Sequence, residues 1–263
     1  MKEKSPYPKQ DIQNFDLANT LRYLYEKFNE CYEASYKGSN YEERDEYRQV
    51  IKSAKELTLK SESNKPETNA LIAYMLLRAS RLRAIINNIA ETPDLKNQNR
   101  SLWDKRMIEG GLRYLKKSAG GRRVTEYHLR AGICACHSLA KDYKSTDWKK
   151  ILSLYDQYLE INDSLGIALE RALVISDIKG PKAAIDDLLR IDTHNKVNVS
   201  KALNLTLAEL HMKLLEYEKA IEYLSKPYEL TNNDKEKSMY LSKIEFCKQQ
   251  LELTKKYNLV LSF

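Results

Sequence analysis

Apolar residues recur along most of this chain at the three-and-four spacing of an amphipathic helix, and in one stretch the pattern itself repeats. Between Ala168 and Leu230 the sequence superimposes on itself at a spacing of 36 residues. Ala172 falls on Ala208, Ile178 on Leu214, Ala184 on Ala220, Ile185 on Ile221 and Leu188 on Leu224. Each copy predicts a helix with a small residue midway, a break at Lys179-Gly180-Pro181 or Glu216-Tyr217, and a second helix. That second helix carries another small residue with apolar neighbours one and four positions on, which defines one face. Ala172, Ala184, Ala208 and Ala220 are the positions where helices must cross closely. A weaker third copy precedes these, with Ile151, Tyr155 and Tyr158 ahead of Leu159-Glu160-Ile161-Asn162-Asp163. A single unit of this kind cannot bury its apolar face alone, so the copies are expected to stack.

The rest of the chain reads as further helices. Residues 1–15, broken by Pro6 and Pro8, read as a linker. A helix opens near Asp16 with Leu17, Leu21, Leu24, Phe28 and Tyr32 on one face, and Lys37-Gly38-Ser39-Asn40 stops it. A second runs from about 42 to 59 with Tyr47, Val50, Ile51, Ala54 and Leu57 inward. Pro66 opens a third, which contains the most apolar run, 70–77. Arg78, Arg81 and Arg83 extend it as a solvated face, with an anion-binding edge as the functional alternative. Residues 87–99 lose periodicity around Pro93. Helix is expected again over 100–118, where Arg100 and Asp104 lie four apart and could pair. Another spans 125–140, and Thr146 or Asp147 could cap the one beginning at Trp148. Trp103 and Trp148 read as core anchors. A last helix, from 234 to about 256, turns Tyr240, Leu241, Ile244, Cys247 and Leu251 inward and closes the stack, and the apolar tail 259–263 is expected to fold back on it. The organisation is thus a linker, an N-terminal helical part over 16–140, and repeats with a capping helix over 141–263.

Composition agrees with an all-α chain: 263 residues, 42% apolar, 31% charged, eight Gly and six Pro. No apolar run approaches the ~20 residues of a membrane span and no signal segment opens the chain, which places it in the cytoplasm as an expectation. Cys31, Cys134, Cys136 and Cys247 form no secretory framework, and Cys134 with Cys136 point to different helix faces. No metal and no cofactor is expected. His128 and His137 are nine apart, His194 lies in a turn, and His211 stands where the repeat wants a large inward side chain. No phosphate loop, nucleophile elbow or metal-spaced histidine pair appears, so the chain is read as a binding module rather than an enzyme. The net charge is +7. Lys116, Lys117, Arg122 and Arg123 flank a flexible Gly120-Gly121 centre and are the candidate polyanion contact.

Several ordered motifs resemble one family. They are Phe28-Asn29-Glu30-Cys31-Tyr32-Glu33-Ala34-Ser35, then Met75-Leu76-Leu77 with Ser80-Arg81, then Gln98-Asn99-Arg100-Ser101-Leu102-Trp103-Asp104 with Glu109-Gly110. Further on stand Tyr127-His128-Leu129, Cys136-His137, Thr146-Asp147-Trp148, Tyr155-Asp156, Arg171-Ala172 and Gly180-Pro181. Together they resemble the C-terminal extension of one group of extracytoplasmic-function (ECF) sigma factors. Cys31, Asn99 and Glu170 depart from that group's glycine, aspartate and asparagine, which weakens any shared ligand contact there. The resemblance implies a tetratricopeptide-like right-handed superhelix of antiparallel helix pairs that regulates transcription initiation. Its partners would be sigma regions, RNA polymerase or a signalling protein. Promoter DNA would be reached only through upstream regions that this chain lacks, so the chain is expected to be an excised domain. Asn29, Glu30, Arg81, Arg100 and Arg171 are the candidate partner-binding residues, with a structural network as the alternative role. Two rival functions stay open: a stand-alone helical-repeat adaptor, and direct nucleic-acid binding through the basic loop.

Overall fold

The computed structural model describes residues 16–37, 46–87, 95–191 and 200–260. The expected linker, the stop at 38–40, the first residues of the second helix, the centre of the irregular stretch, His194 and residues 261–263 lie outside the described residues. Among the described residues every regular element is helical. Two compact units divide at Asp147 and Trp148, so the loop from 141 belongs with the first unit rather than with the repeats.

The first unit contains α1 (Leu17–Lys37), α2 (Glu46–Glu56), α3 (Pro66–Ala79), α4 (Leu82–Ile86), α5 (Lys105–Ser118) and α6 (Glu126–Leu139). It is organised around α3. Pro66 supplies the first-turn residue whose missing N–H costs nothing there. From Ala70 to Leu77 every side chain is buried, so this helix is apolar all round because neighbours cover all its sides. Those neighbours are α1, α2, α5 and α6. Closest is α5: a Cβ built on Gly111 would meet Leu77 Cγ at 2.6 Å and the Ala73 carbonyl at 3.2 Å. The helix α1 starts as expected, because Asp16 Oδ1 accepts the amides of Ala18 and Asn19, and Leu21, Leu24, Phe28 and Tyr32 are buried.

Four expectations fail. The helix expected from Arg100 begins only at Lys105: Arg100–Leu102 is a 3-10 turn, and Asp104 accepts the Met107 amide as the N-cap of α5. Asp104 is therefore committed to capping and does not pair with Arg100. The solvated arginine face is also corrected. Arg83 is exposed, but Arg78 is held among α1 and α3 side chains and Arg81 lies against Trp103. Trp103 is an anchor at 5% exposure, whereas Trp148 is only half-buried.

The second unit contains α7 (Trp148–Ile161), α8 (Leu165–Lys179), α9 (Pro181–Ile191), α10 (Lys201–Lys213), α11 (Tyr217–Leu230) and α12 (Asp234–Val260). Each helix packs on the next in the chain. Ala172, Ala184, Ala208 and Ala220 are all completely buried, because a larger side chain would hold the paired helices apart. The two repeated turns are built differently. The α8–α9 turn uses Gly180 at φ +90°, while the α10–α11 turn places Leu215 at φ +60°, a left-handed conformation that favours glycine. His211 takes its expected inward position, stacked on Tyr223 at 5.3 Å with its Nδ1 2.7 Å from Glu216 Oε2. In α12, Tyr240, Ile244 and Cys247 face inward, but Leu241 is 42% exposed, contrary to expectation. No described helix is long and apolar enough to cross a membrane.

Candidate functional site

The 3-10 turn at Arg100 is fastened to the end of α3 by a hydrogen bond from the Asp104 amide to the Ser80 carbonyl at 2.8 Å. That one bond sets Trp103 beside Arg81. Arg100 reaches the other way: its Nη1 donates to the His137 carbonyl at 2.6 Å and the Ala140 carbonyl at 2.9 Å. These are C-terminal carbonyls of α6, which lack partners inside the helix. Both guanidiniums lie against the indole, Arg100 at 4.6 Å and Arg81 at 5.8 Å from the ring centroid. His137 is buried beside them.

The cluster is cationic, and Asp142 is a carboxylate whose charge favours the Arg100 guanidinium. Burial lowers the Arg100 pKa, while the Asp142 carboxylate raises it and the Arg81 charge adds a smaller lowering. Burial, then Arg81 and Arg100, hold the His137 imidazole down at about 3, so it is neutral near pH 7. Among the described residues no carboxylate forms an ion pair with Arg81 or Arg100. Among the described residues, Arg81 Nε, Arg100 Nη2 and Trp103 Nε1 are sealed from solvent and meet no hydrogen-bond acceptor.

The other expected partner-binding residues lie elsewhere. Asn29 faces α3, where its Oδ1 accepts from Tyr74 Oη at 2.8 Å and Arg78 Nη1 at 2.9 Å. Glu30 is exposed, with Lys27 at 3.5 Å. Both help line a pocket of about 320 Å³ with Tyr25, Glu26 and Glu33 on α1. Arg171 belongs to the second unit and ties three helices together, with Nε 2.7 Å from Asp156 and Nη1 2.6 Å from Asp187. The structure thus brings Arg81 and Arg100 together around Trp103 and gives Asn29 and Arg171 structural bonds. Sequence reasoning did not find the bonding of Arg78, since no local pattern announces an amide of α1 as its partner.

The expected basic loop is half helix. Lys116 and Lys117 lie in the last turn of α5, where the helix dipole favours cations, and only Arg122 and Arg123 stand beyond it. They extend a larger exposed face with Lys105, Arg106 and Arg113. Glu109 is the one carboxylate between Lys105 and Arg123. Lys117 Nζ lies 5.2 Å from the Tyr114 ring, so one aromatic does accompany the basic residues. Among the described residues no three His, Cys, Asp or Glu side chains are grouped to hold a metal ion.

A family model described as a family of unknown function (DUF6596) matches residues 16–119. That span includes α1, α3, both arginines of the cluster and Trp103. An uncharacterized protein of Rhizobium meliloti (strain 1021) is 32% identical over 169 residues, covering 64% of this chain. The chain spans 40% of the length of that relative.

Proposed function

We propose that this chain is a regulatory protein-interaction domain of an ECF sigma factor, with its second unit a tetratricopeptide-like right-handed superhelix. The observation that carries the interaction part is the pair of repeated helical hairpins with completely buried alanines at equivalent positions. Stacked hairpins of this kind leave an extended surface that suits a peptide or helix of a partner. The transcription part rests on the ordered motifs, and the family match over residues 16–119 covers the first three of them. In this reading the domain acts in the cytoplasm on sigma regions, RNA polymerase or a signalling protein. Docking would favour or disfavour the polymerase-competent arrangement by population shift.

Run-off transcription tests this, using core polymerase and promoter-reading sigma regions with and without the domain. Lost activity without it makes the domain an activator, and increased activity makes it an inhibitor. Unchanged transcription together with no binding to polymerase or sigma regions rejects the reading in favour of a stand-alone adaptor.

One observation favours a second reading, direct contact with nucleic acid. Lys105, Arg106, Arg113, Lys116, Lys117, Arg122 and Arg123 are all exposed, and none forms an ion pair among the described residues. Binding to duplex DNA should then fall steeply as salt rises. Absent or salt-insensitive binding excludes it.

A further inference from the structure

We infer that Arg81, Arg100 and Trp103 form a binding site for a small oxyanion. The site lies within the first unit and does not depend on the transcription reading. Among the described residues, three buried N–H groups of this cluster have no acceptor: Arg81 Nε, Arg100 Nη2 and Trp103 Nε1. Trp103 is only 5% exposed. Native proteins satisfy about nine in ten buried polar groups and each unmet one is destabilising, so three together point to an occupant. Guanidinium and indole nitrogens donate and cannot accept, which restricts that occupant to an acceptor.

Charge then separates an anion from a water molecule. Two guanidiniums approach the same ring, at 4.6 and 5.8 Å from its centroid, and among the described residues no carboxylate forms an ion pair with either. Water would satisfy the donors as a neutral acceptor; an oxyanion satisfies them through charge-assisted hydrogen bonds and adds negative charge beside two guanidiniums, only one of which feels Asp142. Arg100 is already fixed by the His137 and Ala140 carbonyls, and the neighbouring turn by Ser80, so the donors are held in place before binding. Because these donors are sealed from solvent, the ligand is small: a free phosphate-like or carboxylate ion.

Trp103 is its own reporter. The chain has two tryptophans, so Trp148→Phe leaves Trp103 as the single indole. Its emission is titrated with phosphate, sulfate and acetate against chloride at constant ionic strength, with thermal unfolding of the full chain followed in parallel. A saturable emission change and a rise in Tm beyond that of chloride are expected. Response to phosphate and sulfate identifies a phosphate-like ligand, and response to acetate a carboxylate. By calorimetry, Arg81→Met and Arg100→Met should weaken binding about tenfold or more, since each removes a charged hydrogen bond. Should either lose helicity by circular dichroism, Arg100→Lys, which keeps the charge without the fork, and Trp103→Phe, which removes the N–H, carry the same comparison. The inference is overturned if every oxyanion behaves like chloride, or if these variants retain the affinity of the parent.

Discussion

The Oδ1 of Asn29 accepts two hydrogen bonds from α3, one from Arg78 Nη1 at 2.9 Å and one from Tyr74 Oη at 2.8 Å. Arg78 Nη1 also donates to Tyr74 Oη, and its guanidinium sits 4.8 Å from the Tyr32 ring centroid. Burial raises the Tyr74 pKa and keeps the phenol protonated, so it remains a donor to Asn29. Replacing Asn29 by Ala leaves both donors without that acceptor. Urea unfolding should show a loss of about 1–3 kcal/mol. Asn29→Asp keeps the acceptor and supplies charge beside the guanidinium, so its loss should be smaller.

The two adjacent glycines of α5 should respond with opposite signs to the same change. A Cβ on Gly111 would lie 2.6 Å from Leu77 Cγ, in the middle of the closest helix crossing, whereas one on Gly110 would meet Leu76 Cδ1 at an ordinary 3.5 Å. Gly111→Ala is expected to destabilise by about 1–3 kcal/mol through overpacking. For Gly110→Ala the expectation is a gain of up to about 1 kcal/mol from helix propensity. Paired thermal melts of the two variants check this.

Equivalent positions in the repeats should be equally intolerant of bulk. Ala172 and Ala208 are both at 0% exposure, against neighbouring helices of the second unit. Ala172→Leu and Ala208→Leu should each cost about 1–3 kcal/mol or more in chemical denaturation. A tolerated leucine at either position would contradict the close crossing there.

His137 gives the first unit an acid sensitivity. Burial first, then Arg81 and Arg100, lower its pKa from 6.5 to about 3 in the folded chain. Because the folded pKa is the lower one, the unfolded chain takes up a proton that the folded chain refuses between those two values. Stability is therefore unaffected above pH 6.5 and falls as the pH drops from there towards 3, by up to about 1.4 kcal/mol per pH unit. Unfolding free energies of the parent and of His137→Gln between pH 7 and 4 should show a shallower fall for the variant.

Much of the framework was legible because helix burial is periodic. The faces of α1 and α2, the proline start of α3, the breaks at Gly180 and Glu216 and the four alanines all follow from spacings within a few residues. Where the expectation failed, a distant group had outbid the local pattern. At Arg100 the apolar spacing continues as if helical, but the Asp104 amide bonds to Ser80 and the Asp104 carboxylate caps α5. Leu241 fits the inward pattern of α12 and yet is exposed, while Tyr240, Ile244 and Cys247 on the same helix are buried.

The sequence by itself determined that this chain is helical, that its second part repeats, and which small residues sit where helices cross. Periodicity and side-chain size carry those properties, and both are written along the chain. Only the tertiary structure decided what the arginines do. Three of them, within the reach of one helix and one turn, meet different environments: Arg83 is in solvent, Arg78 is bound to an amide of α1, and Arg81 lies on an indole beside a second guanidinium. A charged side chain takes its role from the partners that burial brings to it, and here the amide lies 49 positions from Arg78 and the indole 22 from Arg81.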